Sequence, residues 1–133
     1  MVVVDTNVLA YLMIAGDRTA AAQALFARDA DWRSDGFILV EFANILATYV
    51  RADALTRDRA LAMLGEAERL MPGLEMTPNA AALEVALRFA ISAYDGRFIA
   101  CAMRSGRRLV TEDAALRRAA PDWTVSLADA VGA

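Results

Sequence analysis

Met1-Val2-Val3-Val4-Asp5-Thr6-Asn7-Val8-Leu9 passes from a β-branched run to polar residues in a single step. The run reads as a short buried strand over residues 1–4. Thr6 or Asn7 can cap a helix continuing to about Ala15, which Gly16-Asp17 breaks. A strand feeding straight into a helix is how α/β architectures begin. An acid at that junction stands at the carboxyl end of the strand, where open α/β sheets bind ligands.

Outward from this junction the same alternation recurs. Helices are predicted over Thr19–Arg28 and Phe37–Arg51, the latter with Ser34 or Asp35 as cap. Another runs from Thr56 to about Leu70, ahead of Pro72-Gly73. Trp32–Ser34 reads as a short strand and Glu75-Met76 as a brief edge strand. Thr77-Pro78 supplies a cap and a first-turn proline for a helix to about Ile91. Ser92–Tyr94 reads as a break, with Asp95 opening a helix that ends near Arg104, and Gly106 suits its C-terminal cap. A strand over Arg108–Thr111, a helix over Ala114–Ala119, a strand over Trp123–Ser126 and a helical turn over Leu127–Val131 follow. This order predicts a three-layer α/β/α sandwich on a mainly parallel sheet. With 133 residues, 58% of them hydrophobic, the chain has the size and core of one domain.

Composition narrows the chemistry. There is no histidine, and all 14 basic residues are arginine. Histidine acid–base catalysis, P-loop lysines and Schiff-base chemistry are therefore excluded. The missing lysine also disfavours phosphatases and response receivers that pair a strand-end Asp with a Lys. A lone Cys101 builds neither a disulfide nor a metal site. No apolar run reaches membrane-spanning length and no leader pattern is visible, so a cytoplasmic location with no membrane partner is expected. The net charge of −3 argues weakly against nucleic-acid binding through overall charge. The versatile groups left are carboxylates.

Four of these stand out. Asp5 follows the first strand and Asp113 follows Arg108–Thr111, with Glu112 beside it as a competitor. Both acids also suit helix capping. Glu41 lies inside the apolar Phe37-Ile38-Leu39-Val40-Glu41-Phe42-Ala43-Asn44-Ile45-Leu46, with Asn44 and Thr48 on its face: a solvent face or a site wall. Asp95 sits near a helix start, where the helix dipole favours an acid. If it faces Asp5, its neighbour Tyr94 packs there or contacts substrate. Clustered carboxylates repel one another and raise each other's pKa. Mg²⁺ or Mn²⁺, which suit oxygen ligands, would offset that cost.

Four segments carry a family resemblance: Val3-Val4-Asp5-Thr6-Asn7-Val8-Leu9, Val40-Glu41-Phe42-Ala43-Asn44-Ile45-Leu46, Tyr94-Asp95-Gly96-Arg97-Phe98-Ile99-Ala100 and Leu109-Val110-Thr111-Glu112-Asp113. In order and spacing they resemble the PIN-domain nucleases, in particular the VapC-type toxins of toxin–antitoxin pairs. The resemblance implies a single PIN domain over residues 1–133 and Mg²⁺- or Mn²⁺-dependent endoribonuclease activity. It implies Asp5, Glu41, Asp95 and Asp113 as the catalytic, metal-ligating acids. Asp5 and Asp95 are expected to contact an ion directly, and Glu41 and Asp113 through water or at a second ion. The implied partners are an RNA substrate (tRNA, rRNA or mRNA), a small cognate antitoxin and a second copy in a homodimer. A housekeeping PIN nuclease and a non-catalytic PIN scaffold are the alternatives. Gly96 stands where alanine is common, a departure expected to weaken the helix start by under about 1 kcal/mol.

Thr6, Asn7, Asn44 and Thr111 are candidates for orienting the acids. Arg97, Arg104, Arg107 and Arg108 are candidate phosphate contacts, with Arg18 a weaker one. Leu25, Phe26, Ile45, Leu46 and Tyr49 serve either the core or a partner surface.

Overall fold

A computed structural model describes residues 1–132. The elements are β1 (Val2–Val4), α1 (Thr6–Met13), α2 (Thr19–Arg28), β2 (Trp32–Arg33), α3 (Phe37–Arg51) and α4 (Arg57–Leu70). They continue with α5 (Asn79–Phe89), α6 (Ala93–Arg104), β3 (Leu109–Val110), α7 (Ala114–Ala119), β4 (Thr124–Val125) and α8 (Leu127–Gly132). A single 3-10 turn at Pro121–Trp123 leads into β4.

The strands form one parallel sheet in the order β2-β1-β3-β4. Val3 is in register with Arg33 on one side and Leu109 on the other, and Val110 with Val125. Parallel pairs need crossover connections, and here helices supply them, giving the α/β/α sandwich. Because both sheet faces are covered, Val3, Val4, Leu109 and Val110 are all buried. α1 packs on α2, α3 and α4, while α5 packs on α6, which lies against β1 and β3. Phe26 meets the buried Trp32 edge-on, with ring centroids 5.4 Å apart. Leu25 and Leu46 are core residues, whereas Ile45 and Tyr49 are not fully buried. Among the described residues no helix is long and apolar enough to cross a membrane.

Going from β1, the chain places β2 on one side and β3 on the other. The C-terminal edge between β1 and β3 is therefore a topological switch point, where connections diverge and leave a crevice. Asp5 N–H donates to the Val110 carbonyl at 3.2 Å, closing the two strand ends together.

Several local expectations need correction. α1 stops at Met13 and α5 at Phe89, where Ala90 takes a left-handed conformation (φ 54°) that ends the helix. The edge strand at Glu75-Met76 reduces to one parallel bridge between Asp35 and Glu75. Thr77 does not cap α5. Pro78 holds that position, and Thr77 is fully buried, its N–H donating to Asp35 Oδ2 at 2.7 Å. α6 begins at Ala93, with Ser92 as its cap, so Asp95 lies inside the first turn instead of opening the helix.

Gly96 is the largest revision. A Cβ placed on it would lie 2.5 Å from the Ala82 carbonyl oxygen and 3.3 Å from the Ala86 nitrogen. α6 crosses α5 too closely for any side chain there, so Gly96 is a packing residue and not a weakness of the helix start.

Candidate active site

Each of the four acids reaches its place for a local reason. Asp5 is the N-cap of α1, and its Oδ1 accepts the Val8 N–H at 3.1 Å. Asp113 caps α7 in the same way, accepting the Leu116 N–H at 3.1 Å. Capping thus holds for both, and it leaves lone pairs on each carboxylate for other partners. Glu41 projects from α3 at the border of its buried face, next to Ile38 and Phe42, and lines the cavity between the strand ends. Asp95 projects from the first turn of α6.

All four line one cavity of about 650 Å³ at the switch point. Thr6, Asn7, Asn44 and Tyr94 line it with them, as do apolar side chains from α3, α6 and α7. Two threonines fix the carboxylates. Thr111 Oγ1 donates to Asp5 Oδ2, and the same hydroxyl accepts the Asp113 N–H at 3.1 Å. Thr6 Oγ1 donates to Glu41 Oε1 at 2.6 Å, tying α1 to α3. Thr6 and Thr111, expected to orient the acids, are thus hydrogen-bonded to Glu41 and Asp5. Asn7 and Asn44 face the cavity from exposed positions.

Glu112 is separated from its neighbour. Its Oε1 accepts the Leu127 N–H at 2.6 Å at the start of α8, and its Oε2 pairs with Arg18 at 3.7 Å and Arg117 at 3.8 Å. It does not line the cavity.

The electrostatics match a crowded acidic site. Burial pushes the Asp5 carboxyl up from 3.8 to about 6, against the hydrogen bonds from Thr111 and Val8, and nearby Asp113 and Asp95 add to the rise. Asp95 is also raised, by burial first and by Asp113 second. None of the arginines lines this cavity. Among the described residues no three acidic, cysteine or histidine side chains converge into a ready coordination sphere. The donor set still suits a hard cation. Mg²⁺ commonly takes one or two carboxylates and keeps several waters, so it does not need a dense cage.

The candidate arginines have other positions. Arg97 is held inward. It donates to the Thr77 carbonyl at 3.0 Å and to Asn79 Oδ1, and lies 3.6 Å from Asp35. Arg104 pairs with Glu75 at 3.7 Å, Arg108 donates to the Pro121 carbonyl at 3.0 Å, and Arg107 is exposed. Arg18 borders a neighbouring space. It lines a second cavity of about 380 Å³ that shares Asn7 and Ile45 with the first, and its guanidinium lies 5.5 Å from the centroid of the Tyr11 ring.

Two features go beyond the sequence reading, which offered Asp35 only as a cap for α3. The buried Asp35 accepts N–H groups from Phe37 at 2.8 Å and Thr77 at 2.7 Å, and so locks the start of α3 to the approach to α5. Phe37 stacks on Tyr94 at the cavity, rings 5.5 Å apart and 17° from parallel. Its spacing of four from Glu41 puts both on one helix face, a signal the sequence did contain.

The PIN-domain family model matches residues 2–121. The chain belongs to the PIN-domain family. Over 123 residues this PIN domain is 27% identical to Ribonuclease VapC3 of Pyrobaculum aerophilum, spanning 90% of this chain and 94% of that one. The crystal structure of PAE2754 from Pyrobaculum aerophilum shares its fold, with a TM-score of 0.79 at 20% identity, over 98% of this chain and 91% of that one.

Proposed function

We propose that this PIN domain, spanning residues 1–133, is a divalent-metal-dependent endoribonuclease and the toxin of a type II toxin–antitoxin pair. The observation that carries the reading is the cavity at the switch point, lined by Asp5, Glu41, Asp95 and Asp113. The family membership and the likeness to Ribonuclease VapC3 support it. Phosphodiester hydrolysis without histidine or lysine has to draw on acids and a cation.

Asp5 and Asp95 are the acids we assign to direct contact with Mg²⁺ or Mn²⁺. Glu41 and Asp113 hold its water shell or a second ion. When bound, the ion supplies positive charge for the phosphoryl oxygens and makes water more acidic. The protein's part is to hold the acids in place. Thr111 holds Asp5 and the Asp113 backbone from one hydroxyl, and Thr6 holds Glu41. Asn7 and Asn44, which line the same cavity, are proposed to help orient the acids. Arg18, and beyond the cavity Arg104, Arg107 and Arg108, are the proposed phosphate contacts, since guanidinium groups grip phosphate in two-pronged fashion. Arg97 is proposed to hold the wall of the site, given its inward partners. The RNA is tRNA, rRNA or mRNA. A small antitoxin silences the toxin, which works as a homodimer.

The test is to sequence the ends of RNAs cut by the wild type and by Asp95→Asn in Mg²⁺ or Mn²⁺. Defined cut sites carrying 5′-phosphates, absent with the variant, are expected. Identical cuts by both proteins would remove Asp95 from the site and point to a contaminant. Growth arrest on expression of the wild type, absent with Asp5→Asn, separates a toxin from a housekeeping nuclease.

A further inference from the structure

The cavity has a second character besides its acids. Its apolar lining comprises Phe37, Val40, Ile45, Tyr94, Phe98 and Leu116, and its lining holds no cationic side chain. Charge alone therefore does not draw a polyanion into this space. Tyr94 is a large ring and is 63% exposed, near the start of a helix whose residues Phe98–Ala102 are buried. Phe37, half-buried at the first position of α3, lies against it nearly parallel at 5.5 Å. One face of Tyr94 is backed, and much of the ring remains open at the cavity.

Each aromatic is tied to an acid. Asp95 directly follows Tyr94 on α6, and Glu41 lies one turn beyond Phe37 on α3. The stack is thus fixed at the carboxylates' own positions, on two helices whose starts are pinned by Asp35 and Ser92. A rigid aromatic platform beside a phosphoryl-transfer site fits one kind of ligand group, a flat ring attached to the phosphate backbone. Base–aromatic stacking tolerates every base, because every base has a π-face.

We propose that Tyr94, backed by Phe37, is a stacking platform for the nucleobase next to the scissile phosphate. This rests on the ribonuclease reading above. Inside an A-form duplex both faces of a base are already stacked, so the platform can engage only bases in loops, bulges or single strands. The arrangement supplies substrate affinity from stacking, where the cavity lining supplies none from charge.

The test is steady-state cleavage of one oligoribonucleotide, single-stranded and as a perfect duplex, by wild type, Tyr94→Phe and Tyr94→Ala. Tyr94→Ala is expected to raise KM roughly 5- to 100-fold with kcat changed by less than about threefold, and Tyr94→Phe to behave as wild type. The duplex is expected to resist all three proteins. An abasic site beside the cut closes the cycle: it should impair the wild type by a similar factor and add nothing to Tyr94→Ala. That arm needs no variant to fold in order to be read on the wild type. Equal KM for wild type and Tyr94→Ala overturns the proposal and leaves the ribonuclease reading standing. So does a drop in Tyr94→Phe as large as in Tyr94→Ala, which would assign the hydroxyl and not the ring. Loss of dimer mass in Tyr94→Ala with KM unchanged gives the ring to a second copy of the chain instead. No cleavage of any RNA by the wild type fails the ribonuclease reading, and this inference with it.

Discussion

Asp5 caps α1, accepts a hydroxyl from Thr111 and sits near two other acids, all in a buried place. Its carboxyl is raised from 3.8 to about 6, chiefly by burial. The sign of the effect on folding follows. Below about pH 4 both folded and unfolded chains carry the proton, and no stability is lost. Between about pH 4 and 6 the unfolded chain releases it first, so stability falls as pH rises, and above about 6 the loss is complete at roughly 3 kcal/mol or less. Asp5→Asn is therefore expected to melt several degrees higher than the wild type at pH 7.5 in chelator, with the difference gone at pH 4. A variant less stable than wild type at pH 7.5 would show that the carboxylate's hydrogen bonds outweigh its unfavourable charge. Asp5 was legible in the sequence because a strand end announces itself in the residues beside it. The choice between Glu112 and Asp113 was not. The sequence puts both at the same junction, and the decision is made by Leu127, Arg18 and Arg117, which claim Glu112 from other parts of the fold.

Elements show the same division between local and distant causes. α2, α3 and α7 have the predicted bounds, since breakers and apolar spacing lie within a turn of the boundary, although Gly36, and not Ser34 or Asp35, holds the cap position of α3. Ser92–Tyr94 reads as a break in the sequence, whereas the Ser92 hydroxyl accepts the Asp95 N–H at 3.1 Å and caps α6, which starts two residues early at Ala93. Thr77 looked like a cap until Asp35 drew its N–H inward. Gly96 too has a distant cause, the Ala82 carbonyl fourteen residues back in sequence. In an exposed helix, glycine to alanine gains about 1 kcal/mol. Here a Cβ would stand 2.5 Å from that oxygen, and backbone cannot swing aside as a side chain does. Gly96→Ala is expected to lose about 1–3 kcal/mol in chemical denaturation, the range for overpacked interiors. It should also lower cleavage more than its folded fraction explains, because α6 carries Asp95 and Tyr94 along when it moves off α5. A variant as stable as wild type would mean the two helices separate freely and the close crossing is not needed.

Across the whole molecule, four parallel strands bring acids from residues 5, 41, 95 and 113 to one edge of the sheet, and the fold concentrates charge that nothing in the cavity lining offsets. The carboxylates were readable one by one: the alternation of strands and helices set Asp5 and Asp113 after strands, and the family resemblance named all four together. The arginines were not readable in this way, because adjacency of Arg104, Arg107 and Arg108 says nothing about which surface each reaches, and Arg97 turned out to be held by Asp35. An uncompensated acidic cavity has a global consequence. A cation that binds only the folded chain adds stability by mass action, about 2.7 kcal/mol at a hundredfold excess over its Kd. For a chain of this length that corresponds to a rise in Tm of about 5–15 °C. Mn²⁺ or Mg²⁺ is therefore expected to raise the melting temperature of the wild type, and chelator to return it to the starting value. The double variant Asp5→Asn, Asp95→Asn should begin higher in chelator, for the charge reason given at Asp5, and gain little from either ion. Glu112→Gln should keep the full shift, since that carboxylate faces Leu127, Arg18 and Arg117 and not the cavity. A shift retained in the double variant would put the cation outside the four-acid cavity. No shift in the wild type at millimolar ion would leave the carboxylates without the partner their repulsion calls for.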